Sequence, residues 1–136
     1  MQRRKLVGFT LIEVLIVVAI IALLASLTLP SYRHSMQQSK RLDAIAALLD
    51  LQLTQARYLA EHGSYAGNFT QLGWGGDKVL GKNYTLSFMQ ASNDHWTVLA
   101  TPAGAQMGDE CGVFAISDLG VVSGQQYATG NCWNSY

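Results

Sequence analysis

Glycine is missing from the whole stretch between Phe9 and His62, and proline enters that stretch once, at Pro30. A succession of short strands and turns is thereby excluded there, because turns draw on those two residues. Charge is also scarce, at 13% of 136 residues, and none lies between Glu13 and Arg33. Nine Lys and Arg residues match nine Asp and Glu residues. That balance excludes the basic excess on which general binding to a polyanion rests. Cysteine is confined to Cys111 and Cys132, too far apart for a Cys-x-x-Cys redox or metal motif. His34, His62 and His95 stand apart, with no His-Glu-x-x-His spacing, and read as solvated histidines. Gly73-Trp74-Gly75-Gly76-Asp77-Lys78 lacks the order of a phosphate loop and reads as a turn-rich loop. No catalytic constellation remains, so the chain is expected to be no enzyme and to carry no metal or cofactor.

What is present begins with an apolar run. Phe9 to Leu29 is twenty-one residues whose only polar members are Thr10, Glu13, Ser26 and Thr28. At 1.5 Å per residue such a helix crosses a bilayer core of about 30 Å. Arg3, Arg4 and Lys5 precede it and form the positive flank that stays cytoplasmic, which sends everything after Leu29 to the periplasmic or extracellular side. A cleaved secretory signal is the bland competitor, but its apolar region runs about 7–15 residues and tolerates a carboxylate poorly. Glu13 demands a reason, since an ionised side chain in hydrocarbon costs at least about 2.5–3.5 kcal/mol. Residues 9–32 contain no Lys, Arg or His, so a cationic partner has to come from another chain or from an amino group freed by cutting before Phe9.

Lys5-Leu6-Val7-Gly8-Phe9-Thr10-Leu11-Ile12-Glu13, followed by the apolar run and Pro30-Ser31-Tyr32, resembles the leader junction of type IV pilins of the IVa class. The resemblance implies cleavage between Gly8 and Phe9 by a membrane-bound prepilin peptidase, N-methylation of Phe9, and use of Glu13 as the charge that neutralises a neighbouring N-terminus during assembly. Methylation keeps the amine positive, so in low dielectric the pair is strong only when both partners are present. Residues 1–8 are then the leader, 9–30 the transmembrane and filament-core half of a helix, and 31–136 a globular pilin domain. One departure is the missing helix-loosening glycine of many pilins, about where Ala22 stands. Pro30 remains, and predicts a kink or local melting just before it.

Beyond Pro30 the helical pattern resumes, with Met36, Leu42, Ile45, Leu49, Leu53, Ala56 and Leu59 as the expected buried stripe and Gln38, Lys40, Arg41, Asp43, Asp50, Gln55 and Glu61 as its polar counterpart. Gly63 marks the stop, giving an amphipathic half over 31–62. The loop 63–82 is long enough to carry surface identity. Over 83–136, Asn83–Met89 and Trp96–Thr101 flank the turn Ala91–Asp94 as a hairpin, Gly112–Ser117 supplies a third strand, and Val121-Val122 a short fourth. The expected fold is α+β: a long N-terminal helix packed on a three- to four-stranded antiparallel sheet. Cys111 and Cys132 fall in the exported part, where a disulfide persists, and are expected to pair. That bridge resembles the C-terminal disulfide-bounded region of the family, and the pattern around Cys111-Gly112, Asp118-Leu119-Gly120 and Cys132-Trp133 leans toward minor pilins.

The expected role is a structural subunit of a type IV pilus, a minor one, held in the inner membrane before assembly and extracellular afterwards. Its partners are other pilin subunits, the prepilin peptidase and the assembly machinery. Two alternatives stand beside it. A type II secretion pseudopilin often uses a calcium loop in place of the disulfide, for which Asp109, Glu110 and Asp118 are the candidate carboxylates. A DNA-capturing competence pilin would use Trp74, Lys78 and Lys82 as the one small aromatic and basic surface. Removing Arg3, Arg4 and Lys5 leaves six basic residues against nine acidic, a side-chain charge of −3, which opposes attraction to phosphate and disfavours nucleic acid.

Overall fold

A computed structural model describes residues 8–79 and 81–134, apart from the side chains of Asp77 and Lys78. The leader residues Arg3, Arg4 and Lys5 lie outside the described residues. Contacts divide the chain into two compact units, Met1–Met36 and Gln37–Tyr136.

Helix α1 spans Leu11–His62. Up to Met36 its described residues are all exposed, as expected of a stretch whose solvent is lipid or neighbouring chains. Pro30 lies inside continuous helix, so the expected melting does not occur. The hydroxyls of Ser26 and Thr28 donate to the carbonyls of Leu23, Leu24 and Ala25 in the turn before it. The helix ends where the sequence places its stop: Gly63 takes a left-handed φ of 73°, and its N–H donates to the Leu59 carbonyl at 2.8 Å.

In the second unit α1 buries Arg41, Ala44, Ile45, Leu48, Leu51 and Gln55. This corrects the expected stripe. Leu42, Leu49 and Leu53 are 38%, 48% and 52% exposed, while two of their supposed polar counterparts face inward. Arg41 and Gln55 tolerate burial because each finds partners there. The Gln55 carboxamide clamps the backbone of Ala66, donating to its carbonyl and accepting from its N–H, both at 2.9 Å.

The sheet is a four-stranded antiparallel meander in the order β1-β2-β3-β4: Tyr84–Ala91, Trp96–Pro102, Phe114–Ser117 and Gly120–Val122. Tyr84 pairs with Pro102 at one end of the first hairpin and Ala91 with Trp96 at the other. The register slips between Phe88 and Gln90, a bulge in edge strand β1. Alternation sends Tyr84, Leu86, Trp96, Val98, Ala100, Phe114 and Ile116 into the core with the buried apolar residues of α1. Short helices α2 (Gly76–Val79) and α3 (Gly130–Trp133), with a 3-10 turn at Gly104–Gln106, went unread in the sequence, since turn-sized elements carry no periodicity. Cys111 and Cys132 form the expected disulfide, with Cα atoms 5.9 Å apart. It ties α3 to the segment before β3.

Candidate functional site

The helix start is built by two residues. The Thr10 carbonyl accepts the first helical bond from Val14 N at 3.2 Å, which makes Thr10 the N-cap. Its hydroxyl accepts from Glu13 N at 3.3 Å, while its own N–H donates to Glu13 Oε2 at 3.4 Å. This reciprocal arrangement is a capping box. Glu13 therefore has a partner within its own chain, signalled in the sequence by the spacing Thr10-x-x-Glu13 ahead of an apolar run, but it meets no cation among the described residues. Gly8 and Phe9 precede the box in exposed backbone without regular structure, and nothing lies within 4 Å of where a Gly8 Cβ would stand. Glycine is thus not demanded there by the chain's own packing.

The second polar centre was missed in the sequence altogether. Arg41 reaches across to Asp109 with both Nε and Nη2; Nε lies 2.8 and 3.0 Å from the two carboxylate oxygens, and Nη2 also donates to Glu110 at 3.3 Å. Tyr84 donates its hydroxyl to Asp109 at 3.1 Å, and Gln106 Nε2 donates to the Gln37 carbonyl at 3.2 Å. Burial pushes the Asp109 carboxyl up, but the Arg41 guanidinium and Tyr84 hydroxyl overcome it and hold the group below the usual carboxylate range. Burial pushes the Tyr84 hydroxyl up to about 12. Such a pair fixes one arrangement, and removing either half strands a buried charge. The signal available in the sequence was the register of Arg41 with Ala44, Ile45 and Leu48 at helical spacing.

Of the expected surface residues, Trp74 and Lys82 line one groove, but the Trp74 ring is too buried to present a face for stacking. Trp74 is only 5% exposed and forms, with Ala44, Ala47 and Leu86, the apolar lining of a groove of about 340 Å³. Lys82 stands exposed on its rim with Lys40, Asp43 and Asp50. The Lys78 side chain lies outside the described residues. The carboxylates weighed for calcium have internal partners instead: Asp109 holds Arg41, and Asp118 accepts from His95 Nδ1 at 2.9 Å and from Trp96 N at 3.3 Å. His95 is therefore an ion-pair member, not merely solvated, and that bond raises its pKa. No group of three or more metal-ligating side chains occurs among the described residues.

Comparison with known proteins fits these features. The model of the family described as "Type IV minor pilin ComP, DNA uptake sequence receptor" matches residues 30–115, and that of the prokaryotic N-terminal methylation motif matches residues 8–29. The type IV wide pilus major component PilA4 of Thermus thermophilus is 35% identical over 101 residues, covering 74% of this chain and 77% of that protein. A type IV pilin from Shewanella oneidensis shares the fold with a TM-score of 0.53 at 18% identity, covering 68% of this chain and 98% of that one. The non-core minor pilin PilV of Neisseria meningitidis does so with a TM-score of 0.51 at 22% identity, covering 70% and 95%. With a capped apolar helix, an amphipathic continuation, a four-stranded meander and a C-terminal disulfide, the chain belongs to the type IV pilin family.

Proposed function

We propose that this chain is a minor subunit of a type IV pilus, cleaved between Gly8 and Phe9, methylated on the Phe9 amine and assembled through its apolar helix half with Glu13 as the pairing charge. The observation that carries the minor role is the match of residues 30–115 to a family described as a minor pilin. The processing step is supported by the methylation motif over 8–29 and by Gly8, whose lack of a side chain answers no need inside the chain and so suits an external protease cleft. On this reading 1–8 is the leader, 9–30 the anchor held in the inner membrane by one pass, 31–136 the exported domain, and Pro30 the site of a bend. The spent carboxylates Asp109 and Asp118 favour the pilus over a calcium-dependent pseudopilin.

The test is quantitative mass spectrometry of filaments sheared from the native cells. A chain beginning at methylated Phe9, at a small fraction of the dominant subunit, is the expected result. A chain that dominates the filament overturns the minor role, and one that is processed but stays in the membrane fraction overturns the pilus.

A second reading is favoured by the same family description, which names a DNA uptake sequence receptor. At the groove, binding would then draw on the exposed Lys82 and the half-buried Lys40 without the buried Trp74 ring, against the net acidity of the processed chain. Retention of DNA by purified filaments, lost in Lys40→Glu with Lys82→Glu, would support it; retention unchanged in that variant would exclude this surface.

A further inference from the structure

We propose that Met89 is a site of reversible oxidation at which a peroxide forms mainly one of the two sulfoxide epimers, because the Tyr127 hydroxyl occupies one face of the sulfur. The inference concerns the sheet and the disulfide-bounded loop, and goes beyond the filament reading.

Met89 is 55% exposed and is the extra residue of the β1 bulge: Phe88 pairs with Val98 and Gln90 with Thr97, which leaves no residue of β2 opposite Met89. Its thioether is nonetheless held. Tyr127, 38 positions along the chain, donates its hydroxyl to Met89 Sδ at 3.2 Å. Thioether sulfur is a weak acceptor, so the direction of this bond matters more than its strength. Tyr127 itself stands on a fixed support. Its N–H donates to the Gly124 carbonyl at 3.2 Å, the N–H of Ala128 donates to the Val113 carbonyl at 2.8 Å next to β3, and the Cys111–Cys132 disulfide closes the loop that contains it. The hydroxyl therefore reaches the sulfur from one direction.

A divalent sulfur offers a lone pair on each side of the plane of its two carbon bonds. At Met89 one side is taken by the Tyr127 hydroxyl and the other is left to solvent. Oxidation consumes a lone pair: the sulfur attacks one oxygen of hydrogen peroxide, an S–O bond forms as the O–O bond breaks, and the departing hydroxide takes the proton of the transferred oxygen and leaves as water. Sulfur gives up two electrons and the peroxide gains them. The new oxygen stays on the side it entered, because a sulfoxide is chiral. Entry from the free side yields one epimer, whereas entry from the other side has first to break the bond to Tyr127.

Met107 is the internal comparison. At 76% exposure, just after the 3-10 turn, it offers both sides of its sulfur to solvent. The difference extends to repair. Enzymes that reduce methionine sulfoxide act on one epimer each, so a single class of them restores most of Met89, while Met107 needs both. An oxygen on the solvent side of an exposed residue in a bulge breaks no ladder pair, so the mark is made and removed without unfolding the sheet.

The test treats the full chain in detergent with hydrogen peroxide to low conversion and then cuts before Asp94 and Asp109, which separates the peptide of Met89 from that of Met107. Each peptide is offered to the two epimer-specific reductases in turn, and mass spectrometry counts the sulfoxide that each removes. The expected result at Met89 is an excess of one epimer of about fivefold, the rate equivalent of one ordinary hydrogen bond, against near-equal epimers at Met107. Tyr127→Phe, which keeps the ring and removes the donor, is expected to bring Met89 to the Met107 result with the disulfide retained. Equal epimers at Met89 in the unsubstituted chain overturn the proposal, and an excess that survives Tyr127→Phe overturns the part given to the hydroxyl. If Tyr127→Phe disturbs folding, oxidation of the unsubstituted chain in denaturant takes its place: loss of the excess supports the proposal, and an excess that persists without structure overturns it.

Discussion

Helix α1 runs from Leu11 to His62, yet its two stretches solve the same problem in different ways. Up to Met36 no described side chain is buried, and polar groups turn back on the helix's own backbone: Thr10 with Glu13, Ser26 with Leu23, Thr28 with Leu24 and Ala25. From Gln37 onward the polar groups on the inner face bond to residues distant in sequence, Arg41 to Asp109 and Gln55 to Ala66. A stretch that relies on lipid or on neighbouring chains for apolar cover keeps its hydrogen bonds local, because no water replaces a lost partner there. A stretch with its own cover can commit a charge to the interior and gain a unique arrangement.

Changes at four places break or sharpen that contrast. The largest effect is expected at Glu13, whose replacement by Ala removes one half of the proposed inter-subunit charge pair and is expected to lower incorporation into sheared filaments by about 100-fold or more, cleavage remaining intact. Glu13→Gln separates the two roles of the side chain, since an amide preserves a capping box but carries no charge. Incorporation restored by Gln would refute the pairing role. Next comes Asp109→Ala, which strands Arg41 and should cost about 3–5 kcal/mol in denaturant titration of the detergent-solubilised chain, followed by tryptophan fluorescence. Because the Asp109 value is lowered, its contribution is full above the ordinary carboxylate value of 3.8 and fades as pH falls through the lowered one, so the variant and parent should converge in acid. Cys111→Ser with Cys132→Ser opens a loop of 21 residues and should cost roughly 3 kcal/mol in the same titration, with no effect on leader cleavage.

The smallest effect belongs to the exposed His95 and the half-buried Asp118, a pair joining two turns. The pair raises the imidazole value, so its contribution is present below the ordinary 6.5 and is lost as pH rises through the raised value. At the acid edge it is lost as pH falls through the lowered Asp118 value. Asp118→Asn should return His95 to its ordinary titration in a two-dimensional NMR experiment; an unshifted midpoint would show that the bond does not form in solution.

What could be read in the sequence was what is written locally. The helix stop at Gly63, the hairpin around Asn93-Asp94 and the short strand at Val121-Val122 each carry their signal within a few residues, and the structure has all three. The inward face of the second helix stretch was not legible, because two of its six residues are polar and acquire burial only through partners 11 and 68 positions away. Trp74 was misread for a related reason. A tryptophan in a glycine-rich loop looks available, and nothing within the loop announces its place in the core with residues of α1 and β1. At the candidate site, Gly8, Phe9 and Glu13 stand out in the sequence as a motif, and the capping bonds at Thr10 are written there too, in the spacing Thr10-x-x-Glu13, although attention to Glu13 as a charge for another chain hides them.

The register slip between Phe88 and Gln90 falls on β1, an outer strand eight residues long. A long, regular outer strand presents a row of amide groups to any similar strand brought alongside, and crowding inside a fibre brings many alongside. Strand addition of that kind is the chemistry of amyloid, and it is hard to undo. By interrupting the row midway, the bulge at Met89 blunts β1 as a template for an added strand. Neighbours are then left to associate through side chains, which keeps their pairing specific where a bare backbone edge would accept any strand.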